Sequence, residues 1–130
     1  MSTLKVNNIQ NTSGGASSTP EQIETGRLKA WGSFKGSGTV SIHASYNFSS
    51  ITDISQGRYT LSFSTAMSDT NYAITANTMK GDANNDGNVK IQCGDNDGNP
   101  AVNTGNFNVQ VIHSHVDRAD PDKFWVMVAR

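Results

Sequence analysis

The stretch Arg58-Tyr-Thr-Leu-Ser-Phe-Ser64 decides the fold class, because large apolar residues occupy every second position in it. Tyr59, Leu61 and Phe63 lie on one side of a β-strand if the polar residues between them lie on the other. A helix would instead repeat its apolar residues every three or four positions. The stretch therefore predicts a strand with one buried face.

The same two-residue period recurs on both sides of this stretch, and clusters of Gly, Asn, Asp and Ser separate the runs. About seven strands at this spacing predict an all-β fold, an antiparallel β-sandwich of jelly-roll-like or Greek-key topology. The final run is continuously apolar, which predicts a central strand. Besides 58–63, the predicted strands are 28–34, 40–48, 72–76, 89–93, 107–111 and 124–128.

Three of these runs carry detailed expectations. Leu28 should share a face with Ala30, Gly32 and Phe34, and 40–48 should be one half-buried strand. Met79 falls out of register with the strand before it. Most aromatic residues occupy positions that predict core packing, and some are left to face a ligand such as a sugar.

The first 26 residues differ from the rest and predict an N-terminal attachment arm, residues 1–26, ahead of a β-sandwich domain, residues 27–130. Leu4, Val6 and Ile9 are its sizeable apolar residues, and a Ser- and Gly-rich linker follows them. Thr19 and Gln22 have the spacing of a capping box for a short helix, with Pro20 at its start and Gly26 at its end. Because such an arm buries little surface alone, we expect it to pack on another chain.

Length and charge limit the function classes. A chain of 130 residues suits one domain, and its net charge of -1 offers no global field for nucleic acid or anionic lipid. No apolar run is long enough to insert into a membrane, and the N-terminus lacks the apolar segment of a signal peptide. The single Cys93 cannot form an internal disulfide and is expected to be a small buried residue. We expect a protein made in a reducing cytoplasm.

No catalytic constellation is recognisable, so we do not expect an enzyme. None of the serines lies in a Gly-x-Ser-x-Gly elbow, and Cys93 has no context typical of a catalytic thiol. The aspartates concentrate in turns, where their side chains bond nearby backbone amides.

One loop resembles the start of a calcium-binding loop. Asp82, Asn84 and Asp86 provide oxygen ligands at positions 1, 3 and 5, and Gly87 follows at position 6. Position 12 is Cys93 rather than an acidic residue, so the alternative is a hairpin loop with an Asp-Gly turn. Calcium is the candidate ligand if the first interpretation holds.

A second candidate metal site is the pair His113 and His115. The two imidazoles would lie on one side of a strand because side chains alternate. Three chains around an axis would supply six nitrogens, enough for an octahedral transition metal. The alternative is a pair of surface or interface histidines. We expect no cofactor beyond these two candidates.

The order of several short blocks resembles tail-fibre and other virion proteins of marine phages and cyanophages. The resemblance covers residues 1–76 and is less specific in the second half of the chain. The blocks are Met1-Ser-Thr-Leu-Lys-Val-Asn-Asn-Ile-Gln-Asn-Thr-Ser-Gly-Gly15, Ser18-Thr-Pro-Glu-Gln-Ile23, Gly26-Arg-Leu-Lys-Ala-Trp31, Gly36-Ser-Gly-Thr-Val40, Ser49-Ser-Ile-Thr-Asp53, Gly57-Arg-Tyr-Thr60 and Thr65-Ala-Met-Ser-Asp-Thr-Asn-Tyr72.

This resemblance implies a virion surface protein, a homotrimer whose arm contacts other virion proteins and whose β-domain faces the host. A short tail fibre or fibre tip that attaches to a host surface glycan or protein is the leading hypothesis. A capsid decoration protein, such as a cement or head-fibre protein, is the alternative. A carbohydrate-binding module is the second alternative, from a different class.

Overall fold

A computed structural model describes residues 2–15, 17–79, 89–93, 102–113 and 117–130. Antiparallel strands dominate these residues, with one short helix between the second and third strands, so the predicted all-β sandwich is confirmed. No helix in the described ranges is long and apolar enough to cross a membrane. The elements are β1 (Ile9–Gln10), β2 (Ser17–Ser18), α1 (Pro20–Gly26), β3 (Leu28–Lys35), β4 (Ser41–Tyr46), β5 (Phe48–Ser55), β6 (Arg58–Phe63), β7 (Ala73–Met79), β8 (Val89–Cys93), β9 (Asn106–His113), β10 (Asp117–Arg118) and β11 (Lys123–Ala129).

The strands after α1 form two sheets. Sheet I has the order β4-β3-β11-β7. Sheet II has the order β5-β6-β9, with β8 and the two-residue β10 both pairing with β9. The hairpins β3–β4, β5–β6 and β8–β9 each stay within one sheet, whereas the chain changes sheet between β4 and β5 and between β6 and β7. The predicted central position of the last strand is confirmed, because β11 lies between β3 and β7.

The core lies between the two sheets and is built mainly from aromatic and β-branched residues. Tyr59, Leu61 and Phe63 on β6 are all buried, as the opening stretch predicts. Phe124 on β11 stacks on Tyr59 and on Phe34, with ring centroids 5.3 and 5.2 Å apart. Burying each side chain of this size contributes about 1.5–3 kcal/mol before entropy is counted. The strongest apolar alternation in the sequence thus becomes the centre of the core.

Gly32 makes room for one of these rings. A Cβ at this position would clash with the ring of Phe34 on the same strand, which lies over the glycine. Glycine in a strand commonly marks such a close approach. The small residue on β3 is therefore a packing requirement of its aromatic neighbour.

Two local predictions were wrong. Leu28 is exposed, because a register shift in the β3–β11 pairing pairs Leu28 with Ala129 and Ala30 with Val128. The expected single strand over 40–48 is broken at Asn47, whose φ of 58° lies in the left-handed region. As a result Tyr46 is 50% exposed, whereas Phe48, which begins β5, is 6% exposed.

Asn47 is suited to this break between strands. Its side-chain amide donates to the backbone oxygens of Lys29 and Thr65, both at 3.1 Å, and its side-chain oxygen accepts from the Thr65 backbone N–H at 2.7 Å. Asparagine also tolerates the left-handed conformation better than most residues. One side chain therefore fixes the point at which the chain leaves sheet I for sheet II.

The predicted capping box of the short helix is confirmed. The Thr19 hydroxyl accepts from the Gln22 backbone N–H at 3.2 Å, and the Gln22 side chain accepts from the Thr19 backbone N–H at 2.9 Å. Pro20 begins the helix and Gly26 is its last residue. Ahead of it, β1 and β2 pair with each other, and residues 2–15 are exposed.

Candidate functional site

The outward face of sheet I carries a groove lined mainly by Trp31, Ser33, His43, Lys123, Trp125 and Met127, called here the outer-face groove. Its residues follow from the strand alternation. On β11 the core takes Phe124, Val126 and Val128, so Trp125 and Met127 between them face outward. Trp125 is 37% exposed, Met127 is 45% exposed and Trp31 is 42% exposed.

The register of sheet I arranges these side chains in two adjacent rows. Met127 pairs with Trp31, and Trp31 pairs with Tyr46 on the edge strand β4. In the next row Trp125 pairs with Ser33, and Ser33 pairs with Ala44. The large residues therefore stand beside a floor of small ones, which leaves a groove of about 710 Å³. This volume lies within the range of ligand sites.

The polar groups of the outer-face groove are few, and one of them, Lys123, carries a positive charge. The Lys123 Nζ lies 5.6 Å from the centre of the Trp125 ring, a cation–π arrangement. His43 contributes an imidazole from β4, and within the described part of the chain no aspartate or glutamate lines the groove. The Ser33 hydroxyl is the one buried side-chain polar atom without a hydrogen-bond partner among the residues described. Because buried polar atoms usually have partners, this hydroxyl marks a hydrogen-bonding position that the fold leaves unused.

A second, more polar groove of about 530 Å³ lies near Tyr46, Asn47 and Met67. Its charged residues are already engaged with one another: Glu24 pairs with Lys29, and Arg130 pairs with Asp69. Bonding to the Asn71 backbone, and then to Arg130, holds the pKa of Asp69 below its usual range. A ligand would have to break these pairs, so the outer-face groove is the stronger candidate.

Among the described residues, Tyr59 has the pKa that lies furthest from its usual value, and its surroundings indicate a structural role. Burial raises the pKa of its phenol far above the usual range, and hydrogen bonding to Asp120 adds to that shift. The hydroxyl donates at 2.8 Å to the Asp120 carboxylate and lies 3.1 Å from the Gly36 backbone oxygen. Asp120 also accepts from the Gly57 backbone N–H at 2.6 Å. These hydrogen bonds join the loops that contain Gly36, Gly57 and Asp120 at one end of the sandwich, and the Tyr59 side chain is buried in the core.

The predicted arm residues are exposed in the single chain. The exposed fractions of Leu4, Val6 and Ile9 are 86%, 39% and 54%. With Ile23 of α1 they line a shallow groove of about 610 Å³. Apolar residues gathered in this way mark an interaction surface better than scattered ones do.

The predicted metal ligands fall mostly beyond the described ranges. Asp82, Asn84, Asp86 and His115 lie outside them, and His113 ends β9 with its side chain also outside them. Cys93 ends β8, and its side chain likewise lies outside them. Within the described ranges, no group of three His, Cys, Asp or Glu residues could hold a metal ion. Calcium at the Asp82 loop and a transition metal at the histidine pair stay predictions.

Sequence reasoning did not single out the outer-face groove, although a signal for part of it was present. Once Ala30, Gly32 and Phe34 are assigned to the core, alternation places Trp31 outside. On β11 the run of five apolar residues hides the alternation, so Trp125 and Met127 could not be distinguished from core residues by their type.

Comparison of the chain with protein-family models, with curated proteins and with solved structures finds no match.

Proposed function

We propose that the protein is a structural protein of a phage virion, a short trimeric tail fibre or fibre tip that mediates host attachment. The ordered sequence blocks over residues 1–76 support a virion protein of this kind. The proposal divides the work between two surfaces, the arm for assembly and the sandwich for contact with the host. It assigns no catalytic residue and no cofactor.

The observation that carries the proposal is the exposure of the apolar arm residues Leu4, Val6 and Ile9. Burying an aliphatic side chain of this size gains about 1.5–3 kcal/mol, and none of the three obtains that gain fully within one chain. Other copies of the chain, or a neighbouring virion protein, would cover them. Homo-oligomers are usually closed and symmetric, so a trimer joined through its arms leaves three sandwiches free for contact.

The location of the protein on purified phage particles tests this proposal. We expect immunogold labelling at the tail or at fibres, and a trimer in analytical ultracentrifugation of the purified chain. Labelling of the head would move the protein to the capsid-decoration alternative. Absence from the particles, or a monomer at high concentration, would overturn the proposal.

Arm variants with a matched control sharpen the test. Leu4→Asp, Val6→Asp and Ile9→Asp together should abolish incorporation and trimer formation, because charge replaces the apolar contacts. Asn7→Asp, Asn8→Asp and Gln10→Glu add the same charge at polar positions of the same arm. These control changes should leave both properties close to wild type. Equal effects of the two sets would show that net charge, rather than apolar contact, governs assembly.

A further inference from the structure

The outer-face groove presents an apolar surface that the single chain leaves uncovered. The exposed fractions of its two tryptophans, with Met127 and Leu28, amount to about 350–400 Å². A patch of this size on a soluble chain commonly marks a binding site. The area, the charge and the backbone geometry of the groove together select its occupant.

A second copy of the chain fits the groove poorly. A stable interface buries about 800 Å² per partner, roughly twice the exposed area of these four side chains, so a dimer would also have to bury polar surface around the groove. In a two-fold packing of this face on itself, the Lys123 ammonium group of one copy would approach that of the other. Among the described residues that line the groove, none is acidic and could neutralise this pair.

An extended peptide also fits poorly. The groove is centred on β3 and β11, and each of these strands is paired with neighbours on both sides. A peptide that adds to a sheet needs an unpaired edge strand for its backbone hydrogen bonds. The outer-face groove offers ring faces and side-chain groups instead.

A saccharide matches these features. The face of an indole ring carries negative charge density, which attracts the polarised C–H groups on one side of a pyranose ring. Trp31 and Trp125 provide two such rings beside a floor of small residues. The His43 imidazole is a hydrogen-bonding group for sugar hydroxyls.

The charge of the groove specifies the kind of saccharide. Lys123 holds its ammonium group over Trp125 and so within the groove. A carboxylate on a sugar bound there would pair with this ammonium group, and no carboxylate of the described lining residues would compete for it. We propose that the outer-face groove binds a pyranose saccharide that carries a carboxylate, such as a uronic acid. This inference rests on the proposed function, because it names the ligand class for the host contact.

The test uses the purified full-length protein with two matched probes, trigalacturonate and the neutral galactotriose. Isothermal titration calorimetry and tryptophan fluorescence should both detect the acidic probe, and the neutral probe should bind roughly tenfold more weakly. Raising the salt concentration should weaken binding of the acidic probe alone. Failure of both probes to bind at millimolar concentration would overturn the inference.

Variants assign the binding to the groove. Trp125→Ala and Trp31→Ala should each weaken binding of both probes by roughly tenfold, the scale of a lost aromatic contact. Lys123→Gln should reduce the affinity for trigalacturonate to that for galactotriose. Ile54→Ala, at an exposed apolar residue on β5 of sheet II, is the matched control and should bind as wild type. Thermal melts check that each variant is folded.

Two further outcomes separate this inference from others. If the tryptophan variants leave saccharide binding unchanged but dissociate an oligomer, the groove is an interface between copies and the inference is overturned. Binding by a protein that is absent from virions would support the groove and overturn the proposed function alone. If the protein is found on virions but its groove binds neither probe, the inference is overturned and the proposed function stands.

Discussion

The outward faces of the two sheets differ, although the same alternation generates both. Sheet I exposes Trp31, Trp125 and Met127, whereas β6 and β9 of sheet II present the hydroxyl and amide groups of Thr60, Ser62 and Asn108 on their outward side. On sheet II the Thr60 hydroxyl donates at 2.8 Å to the Asn108 side-chain oxygen across β6 and β9. Burial of the inward residues between the two sheets stabilises the sandwich, so the residue types on the two outward faces can differ. We infer that the apolar face serves recognition and the polar face serves solubility.

The largest expected effect separates two neighbouring residues on β11. Phe124→Ala should lower the free energy of unfolding by about 3–5 kcal/mol, because it leaves a cavity between Phe34 and Tyr59. Trp125→Ala should cost less, about 1–2 kcal/mol, because 37% of its surface stays exposed on the outward face. Urea denaturation of both variants measures the difference. Similar losses would mean that the outer face is covered in the isolated protein.

Tyr59→Phe should have the next largest effect, a loss of about 1–3 kcal/mol at neutral pH. The change removes a buried hydroxyl that donates to Asp120 at one end of the sandwich. Because the folded-state pKa of Tyr59 is raised, its contribution is fully present below pH 10 and declines as the pH rises above that value.

The pH dependence provides the check on Tyr59. Denaturation at pH 7 and at pH 11 should show the gap between wild type and Tyr59→Phe narrowing at the higher pH. Tyr46→Phe, at an exposed tyrosine on β4, is the control and should leave the wild-type pH profile nearly unchanged. A gap that widens at high pH would contradict the structural role given to this phenol.

Asn47→Ala tests the point at which the two sheets are joined. It removes the bonds to Lys29 and Thr65 and places alanine at a left-handed φ, so we expect a loss of about 2 kcal/mol. Asn47→Gly keeps the conformation and loses only the side-chain bonds, so its loss in thermal denaturation should be smaller. Equal losses would show that the left-handed conformation costs alanine nothing at this position.

The smallest effect is expected on the polar face. Thr60→Val with Asn108→Val replaces both partners of one partly buried hydrogen bond by apolar groups, and the stability should stay within about 0.5 kcal/mol of wild type. The double variant should bind trigalacturonate as wild type does, because sheet II lies away from the outer-face groove. Lost saccharide binding would mean that both faces contribute to the site.

The inward half of the fold was predictable from the sequence. Alternation through Tyr59, Leu61 and Phe63 identified core residues, and the capping box of Thr19 and Gln22 identified a helix start. The break at Asn47 was not predictable, because it depends on backbone groups of Lys29 and Thr65 that lie 18 residues away in either direction. The exposure of Leu28 likewise depends on a register shift against β11.

The sequence alone determined that strands form and which residues share a side, because the period of two is a local property of the backbone. Only the tertiary structure decided which sides are covered. On β11, Phe124 and Trp125 are both large and apolar, and the packing of sheet II against one face buries the first and leaves the second exposed. Covering requires a second layer, and the position of that layer is set by contacts between residues far apart in the chain.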